Sequence, residues 1–328
     1  MATYKGIKGF KVQSLASDPT AEDTVGKVWY NTAGYALKYS AEGDGAWASG
    51  GAVNVGRSNG TGLGTQTAAL YVGGIVSPTG EILANCETYD GSAWTEGNNI
   101  NTARSTYFGG AGITTAGLVI GGYFSGNASG VTESYNGTSW TEVTALTTAR
   151  YTSGVGVQTA ALAVSGQEIP GPSLLVEEYN GSTWTEIADV NSARRTFPAV
   201  GTTTAALKFG GTPPATTALT EQFDGTSWTE VADLNTGRYG EGGAGTSTLA
   251  LAFGGYAPPV TQAVTEKWDG TSWTEVADLA QARTNLCGAG TQASALCAGG
   301  SEGVSGNEFT QTEEWTDPVY AVKTVTTS

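Results

Sequence analysis

The chain has 328 residues, 49 of them glycine, with 39% hydrophobic and 9% aromatic residues, so it is turn-rich and long enough to bury a large core. Thirty acidic residues against fifteen Lys and Arg give a formal net charge of −15, which excludes a nucleic-acid footprint. Histidine is absent, and Cys86, Cys287 and Cys297 show no CxxC spacing, which excludes a histidine-based metal or acid/base centre, a zinc site and a disulfide framework.

The first 40 residues reverse the charge balance, with Lys5, Lys8, Lys11, Lys27 and Lys38 against Asp18, Glu22 and Asp23. A slightly basic arm over residues 1–25 ahead of an acidic body suggests docking, with Lys5, Lys8 and Lys11 as the partner-anchoring residues. Over 26–51, VGKVWYNTAGYALKYS predicts a hairpin with its turn near 32–35, followed by a strand around Trp47. No apolar run reaches the roughly 18 residues needed to span a bilayer, and MATYKGIKGFKVQSL has no signal-peptide core. A soluble product made in a cytoplasm, with no membrane insertion, is expected.

From residue 52 onward the chain repeats. YDGSAWTEG at 89–97 returns as YNGTSWTEV at 135, YNGSTWTEI at 179, FDGTSWTEV at 223 and WDGTSWTEV at 268. The tryptophans, Trp94, Trp140, Trp184, Trp228 and Trp273, are separated by 46, 44, 44 and 45 residues. A Gly pair keeps step at 73, 121, 210, 254 and 299, with Ser165 and Gly166 in the one divergent copy, giving six units. Short apolar runs ended by glycine (ALYVGG, LALAFGG) and alternating runs (VTESY, VTEKW) predict four strands per unit and no helix. Between the third and fourth strands, Asp-Gly or Asn-Gly predicts a two-residue hairpin turn. The acid of that turn is Asp90, Asp224 and Asp269 but Asn136 and Asn180, and asparagine cannot replace a general base, so the motif reads as scaffold.

Arg57, Arg104, Arg150, Arg194, Arg238 and Arg283 each follow a tryptophan by ten residues, and the tryptophan ahead of Arg57 is Trp47. The N-terminal segment therefore joins the repeat. After Trp315 the sequence TDPVYAVKTV abandons the turn and the WTEV strand, so the strand around Trp47 is expected to complete the last unit and close the circle. Six blades follow, with a short seventh built from the hairpin and Trp47 as the alternative. The six arginines form either a cationic circle open to an anion or pairs with Glu87, Glu133, Glu177, Glu221, Glu266 and Glu313, each two residues before its unit's aromatic. Pairing is the expectation. The WTE glutamates occur once per unit, too far apart for a calcium loop.

The connections after the Gly pair vary most, from GIVSPTGEILAN to GTPPATTA and GYAPPVTQA. Loops of this kind carry function on a rigid scaffold, which singles out Tyr123, Phe124, Pro213, Pro214, Tyr256, Pro258 and Pro259 as binding residues on the loop face.

The Gly pair, the following aromatic and the tryptophan of each copy resemble kelch-type β-propellers, over residues 52–328, although aromatic and tryptophan are closer here than in the usual kelch pattern. The resemblance implies an all-β, kelch-like β-propeller with an N-terminal arm and hairpin. FKVQSLASDPTAEDTVGKVWYNTAGYALKYS, GAWASGG and the glycine-rich repeats together resemble kelch-like virion proteins of tailed, especially marine, bacteriophages. That resemblance implies a non-enzymatic structural component of a phage particle, such as a tail fibre, tail-associated or decoration protein. Its N-terminus would be anchored to other virion proteins and its propeller would face a host-surface glycan, a host protein or a second copy of itself. Kelch-type copper oxidases would need histidine ligands, and the arginine cluster of sialidase-like propellers is not recognisable, so neither catalysis nor a cofactor is expected. A free lectin-like or adaptor propeller is the alternative, and a glycan-cleaving enzyme using two of the thirty acids is the third reading.

Overall fold

A computed structural model describes residues 12–20, 26–43, 45–105, 108–124, 126–212, 215–303, 307–317 and 319–325. The described residues are all-β, without a helix, and divide into two compact units. One is Ala46–Thr316; the other lies within Met1–Gly45 and Asp317–Ser328.

The larger unit contains six four-stranded antiparallel sheets, numbered 1 to 6 in chain order. Sheet 1 runs Thr61–Thr65, Ala68–Val72, Cys86–Tyr89 and Trp94–Glu96, each strand pairing with the one before it. Sheets 2 to 5 repeat this order over 109–143, 151–186, 199–231 and 242–276. The innermost strands are too glycine-rich to hold one another apart. A Cβ on Gly62 would lie 2.4 Å from the Gly288 carbonyl oxygen of sheet 6, and one on Gly154 would lie 2.7 Å from the Gly110 nitrogen of sheet 2. Glycine there lets the backbones approach around a common axis, in the manner of a β-propeller.

Sheet 6 is completed across the chain ends. Cys287–Thr291, Ser294–Ala298 and Thr312–Thr316 are joined by Ala46–Gly50, with Trp47 opposite Trp315 and Gly50 opposite Thr312. The two indoles lie 5.6 Å apart, and the Trp47 indole N–H donates to Thr265 of sheet 5 at 3.0 Å. Six apolar clusters fill the gaps between neighbouring sheets, and one of them joins Tyr71, Tyr89 and Trp94 of sheet 1 to Cys287, Leu296 and Ala298 of sheet 6. The circle is therefore closed by the strand around Trp47, as the spacing from Trp47 to Arg57 predicts. All three cysteines are free and buried in these clusters.

The body ends earlier than the sequence predicts. Its boundaries are 46 and 316 rather than 52 and 328, because the fourth place in sheet 6 is filled by Ala46–Gly50, so the segment after Thr316 has no position there. Val319–Thr324 instead pairs with Ala36–Gly43, in a sheet that continues to Val28–Asn31 and then, in parallel, to Gln13–Leu15. The predicted hairpin is present, with its turn at 32–35, but belongs to this second unit and not to a seventh four-stranded repeat. Within that unit Trp29 is buried and its indole N–H donates to Asp18 at 3.0 Å, while Asn31 donates to the same oxygen at 2.7 Å.

The Asp-Gly hairpins differ from expectation in one respect: their loops have four residues. In sheet 4 the ladder closes at Phe223 opposite Trp228, and only Gly225 of the loop has positive φ, at 94°. Asp224 stays outside the left-handed region because its carboxylate accepts from the backbone N–H groups of Thr226 and Ser227 at 2.8 and 2.9 Å, which holds the turn by itself. These bonds keep its carboxyl below the usual range, and Asn136 makes the same two bonds at 2.9 and 2.8 Å. Asp224→Asn is therefore expected to leave the melting temperature nearly unchanged. Gly225→Val should cost on the order of 1 kcal/mol or more, since a β-branched residue resists positive φ. Thermal melts of both variants check the pair.

Candidate functional site

All six repeated arginines are buried and each meets the glutamate of its own unit: Arg57 with Glu87, Arg104 with Glu133, Arg150 with Glu177, Arg194 with Glu221 at 2.7 Å, Arg238 with Glu266, and Arg283 with Glu313 at 2.8 Å. Each glutamate also accepts from the backbone N–H seven residues after a tryptophan, as Glu133 does from Asn101 at 2.7 Å and Glu266 from Asn235 at 2.6 Å. The pairs tie one sheet to the connection that leads from the preceding sheet. They are scaffold, closed to an external anion. Burial raises Glu177, yet the bonds from Arg150 and Thr147 outweigh it and hold its carboxyl below the usual value.

What remains available lies around one end of the axis, where each arginine is followed by a short connection into the innermost strand. A cavity of about 90 Å3 opens there, lined among others by Asn59, Phe108, Thr152, Phe197, Glu241 and Asn285. Backbone bonds run around its rim from sheet to sheet: Gly240 N–H to Thr196 at 2.8 Å, Asn285 N–H to Gly240 at 2.7 Å, and Asn59 N–H to Asn285 at 2.9 Å. Asn59, Thr196 and Asn285 hold φ of 58°, 59° and 57° at this rim, an uncommon backbone state for side-chain-bearing residues and most strained for β-branched Thr196.

Glu241 is 5% exposed, and neither carboxyl oxygen has a hydrogen-bond partner among the described residues. Gly210 makes room for it, since a Cβ there would fall 1.8 Å from the Glu241 Oε1. Burial pushes its pKa up to about 8, against the opposing charges of Arg238 and Arg194, so the carboxyl is protonated at neutral pH and below.

The residue after each repeated arginine is fixed by a backbone bridge to the connection after the Gly pair: Ser58 to Ile75, Ser105 to Tyr123, Tyr151 to Gln167, Arg195 to Thr212, Tyr239 to Tyr256 and Thr284 to Ser301. Sheets 3, 4 and 5 thus present Tyr151, Arg195 and Tyr239 at one equivalent position, while the other three sheets present small hydroxyls. Tyr123 meets Tyr151 edge-on at 5.8 Å and Tyr256 meets Tyr239 edge-on at 5.5 Å, which locks both phenols. Arg195 donates to Gln167 Oε1 at 3.0 Å, while its Nε is buried without a partner.

Of the loop residues singled out by sequence, Tyr123 and Tyr256 join this cluster. Tyr123–Phe124 pairs with Asn127–Ala128, and Tyr256–Ala257 with Val260–Thr261, as two small hairpins. Phe124, Pro258 and Pro259 are exposed on them, with Phe124 45% accessible. Pro213 and Pro214 lie outside the described residues, as do Lys5, Lys8 and Lys11 of the arm. The WTE glutamates Glu96, Glu142, Glu186, Glu230 and Glu275 are exposed on the outer strands, one per sheet. Sequence reasoning overlooked Arg195, Tyr151, Tyr239 and Glu241; the available signal was the residue after each arginine, which reads Ser, Ser, Tyr, Arg, Tyr, Thr in chain order.

No family model matches the chain, and no curated protein matches it. Among solved structures, that of YjhT aligns with a TM-score of 0.69 at 14% identity, covering 84% of this chain and 99% of its own. That likeness is one of fold, and it accords with the propeller-like arrangement of the sheets.

Proposed function

We propose that the chain is a kelch-like propeller of six blades that serves as a non-enzymatic structural and binding component of a tailed-phage particle. Its N-terminal segment anchors it to other virion proteins, and its loop face meets a host surface or a neighbouring protein. The observation that carries this reading is a division of labour between repeated and variable residues. Each repeated buried Arg pairs with its Glu, each turn Asp or Asn holds its own loop and each turn Trp packs on the aromatic that precedes its turn, whereas the exposed aromatics, prolines and Arg195 sit in the parts that vary between copies. The phage assignment is supported by the likeness of the first 50 residues to phage virion proteins and by the basic arm on an acidic body. Mass spectrometry of purified particles tests it. The protein should co-purify with infectious particles through a density gradient at a fixed ratio to the major virion proteins, and its confinement to the soluble lysate would contradict the assignment.

A further inference from the structure

Arg195 stands apart from the other six arginines. Among the described residues it has no carboxylate partner, and its one side-chain hydrogen bond goes to the neutral amide of Gln167. A guanidinium bonded only to a neutral amide keeps N–H donors free for an anion. The side chain is partly exposed; on one flank its acceptor Gln167 pairs with Tyr151 of the preceding sheet, and on the other Thr196 accepts from Gly240, the residue after Tyr239 of the following sheet. Both phenols are raised by burial, and the Arg195 charge opposes that shift in each.

These groups have the complementarity of a site for an anionic ring. A guanidinium with free N–H groups binds a carboxylate through two parallel bonds, and the flanking tyrosines supply apolar ring faces and hydroxyls for C–H and O–H groups of the same ligand. A single cation in a body this acidic does not suit a polyphosphate. The edge-on contacts of Tyr123 and Tyr256 hold the flanking phenols in place before a ligand arrives, which lowers the ordering cost of binding.

We infer that Arg195, between Tyr151 and Tyr239, binds the carboxylate of an acidic sugar residue, of uronic-acid type, at the axial end of the loop face. This rests on the reading of the propeller as a binding module, and names the chemistry of what it binds.

The test is calorimetric titration of the full chain with oligogalacturonate and oligoglucuronate, and with their methyl esters, which keep the sugar but mask the charge. At least one acid should bind, its ester should bind roughly 30-fold more weakly or worse, and Arg195→Gln should remove the difference. Because Arg195 takes no part in the six buried pairs, R195Q should melt with the wild type, and Arg195→Lys should restore binding in part, as a point charge without the planar fork. Binding that ignores esterification, binding unchanged in R195Q, or no binding to either acid would each overturn the inference. Detection of the protein in purified particles is read independently, so a protein that is present there but does not bind these acids would sink this inference and leave the particle assignment standing.

Discussion

Replacing Arg104 by methionine is expected to lower the stability of the 46–316 unit by about 3–5 kcal/mol, the usual cost of breaking a buried ion pair from one side. The guanidinium is fully buried, and it donates to Glu133, to the Val131 carbonyl at 2.7 Å, to Gly121 at 3.2 Å and to Thr102 at 3.2 Å. Its loss strands a buried carboxylate and removes a donor from three carbonyls, of which Val131 keeps the Gly121 N–H at 3.0 Å. The Glu133 carboxylate keeps only its bonds from the Asn101 backbone and side chain and from Thr102. Arg104→Met combined with Glu133→Gln should recover part of the loss, because the desolvated charge is then gone. Urea melts of the two single variants and the double variant measure the coupling. A loss below about 1 kcal/mol for R104M would show that the pair is screened as a surface pair would be.

Glu241→Gln should act in the opposite direction and only above acidic pH. The folded-state pKa of Glu241 is raised to about 8 by burial, against an ordinary value of 4.5, so the folded chain holds this proton more tightly than the unfolded chain. The stability that comes with the protonated form is fully present below about pH 4.5 and is lost as pH rises towards 8. The size of that loss is on the order of a few kcal/mol. Arg238 and Arg194 moderate the shift and Glu266 adds to it, but none of them hydrogen-bonds to the carboxyl oxygens. The neutral amide at 241 should therefore match the wild type at pH 4.5 and exceed it at pH 8. Melting temperatures across that interval check the sign, and parallel curves for both proteins would mean that the carboxyl finds solvent or a partner.

Much of the scaffold was readable because it recurs. Trp47 kept the ten-residue spacing to Arg57 although it lies outside the run of turn motifs, and that one interval predicts the closing strand. Pairing of the repeated Arg and Glu was readable for the same reason, since two charges that recur in step in an apolar strand context find each other. The four-residue loops were harder to see: the Asp-Gly dipeptide signals a turn, but the tyrosine or phenylalanine before it pairs directly with the tryptophan five residues on, which leaves two further residues inside the loop. Val319–Thr324 adjoins the repeats in sequence and so falls within the expected body of 52–328, whereas its pairing partner, Ala36–Gly43, lies at the far end of the chain. The site was hidden by the repetition itself. Tyr151, Arg195 and Tyr239 occupy a position whose backbone bridge accepts any residue, so nothing local marks them, and the burial of Glu241 depends on Gly210 in the preceding sheet.

The loop face exists as one surface only if the six sheets close, and closure rests on the antiparallel pairing of Ala46–Gly50 with Thr312–Thr316. Ala46 and Thr316 are directly opposed and both exposed, which makes them suited to a cross-link. The double variant Ala46→Cys, Thr316→Cys should form an intramolecular disulfide on mild oxidation, read as a loss of two mass units and a faster non-reduced gel band. Closing so long a loop should stabilise the oxidised protein by about 2–5 kcal/mol over its reduced form. A protein that stays reduced, or that forms only intermolecular disulfides, would contradict the closed circle on which the account depends.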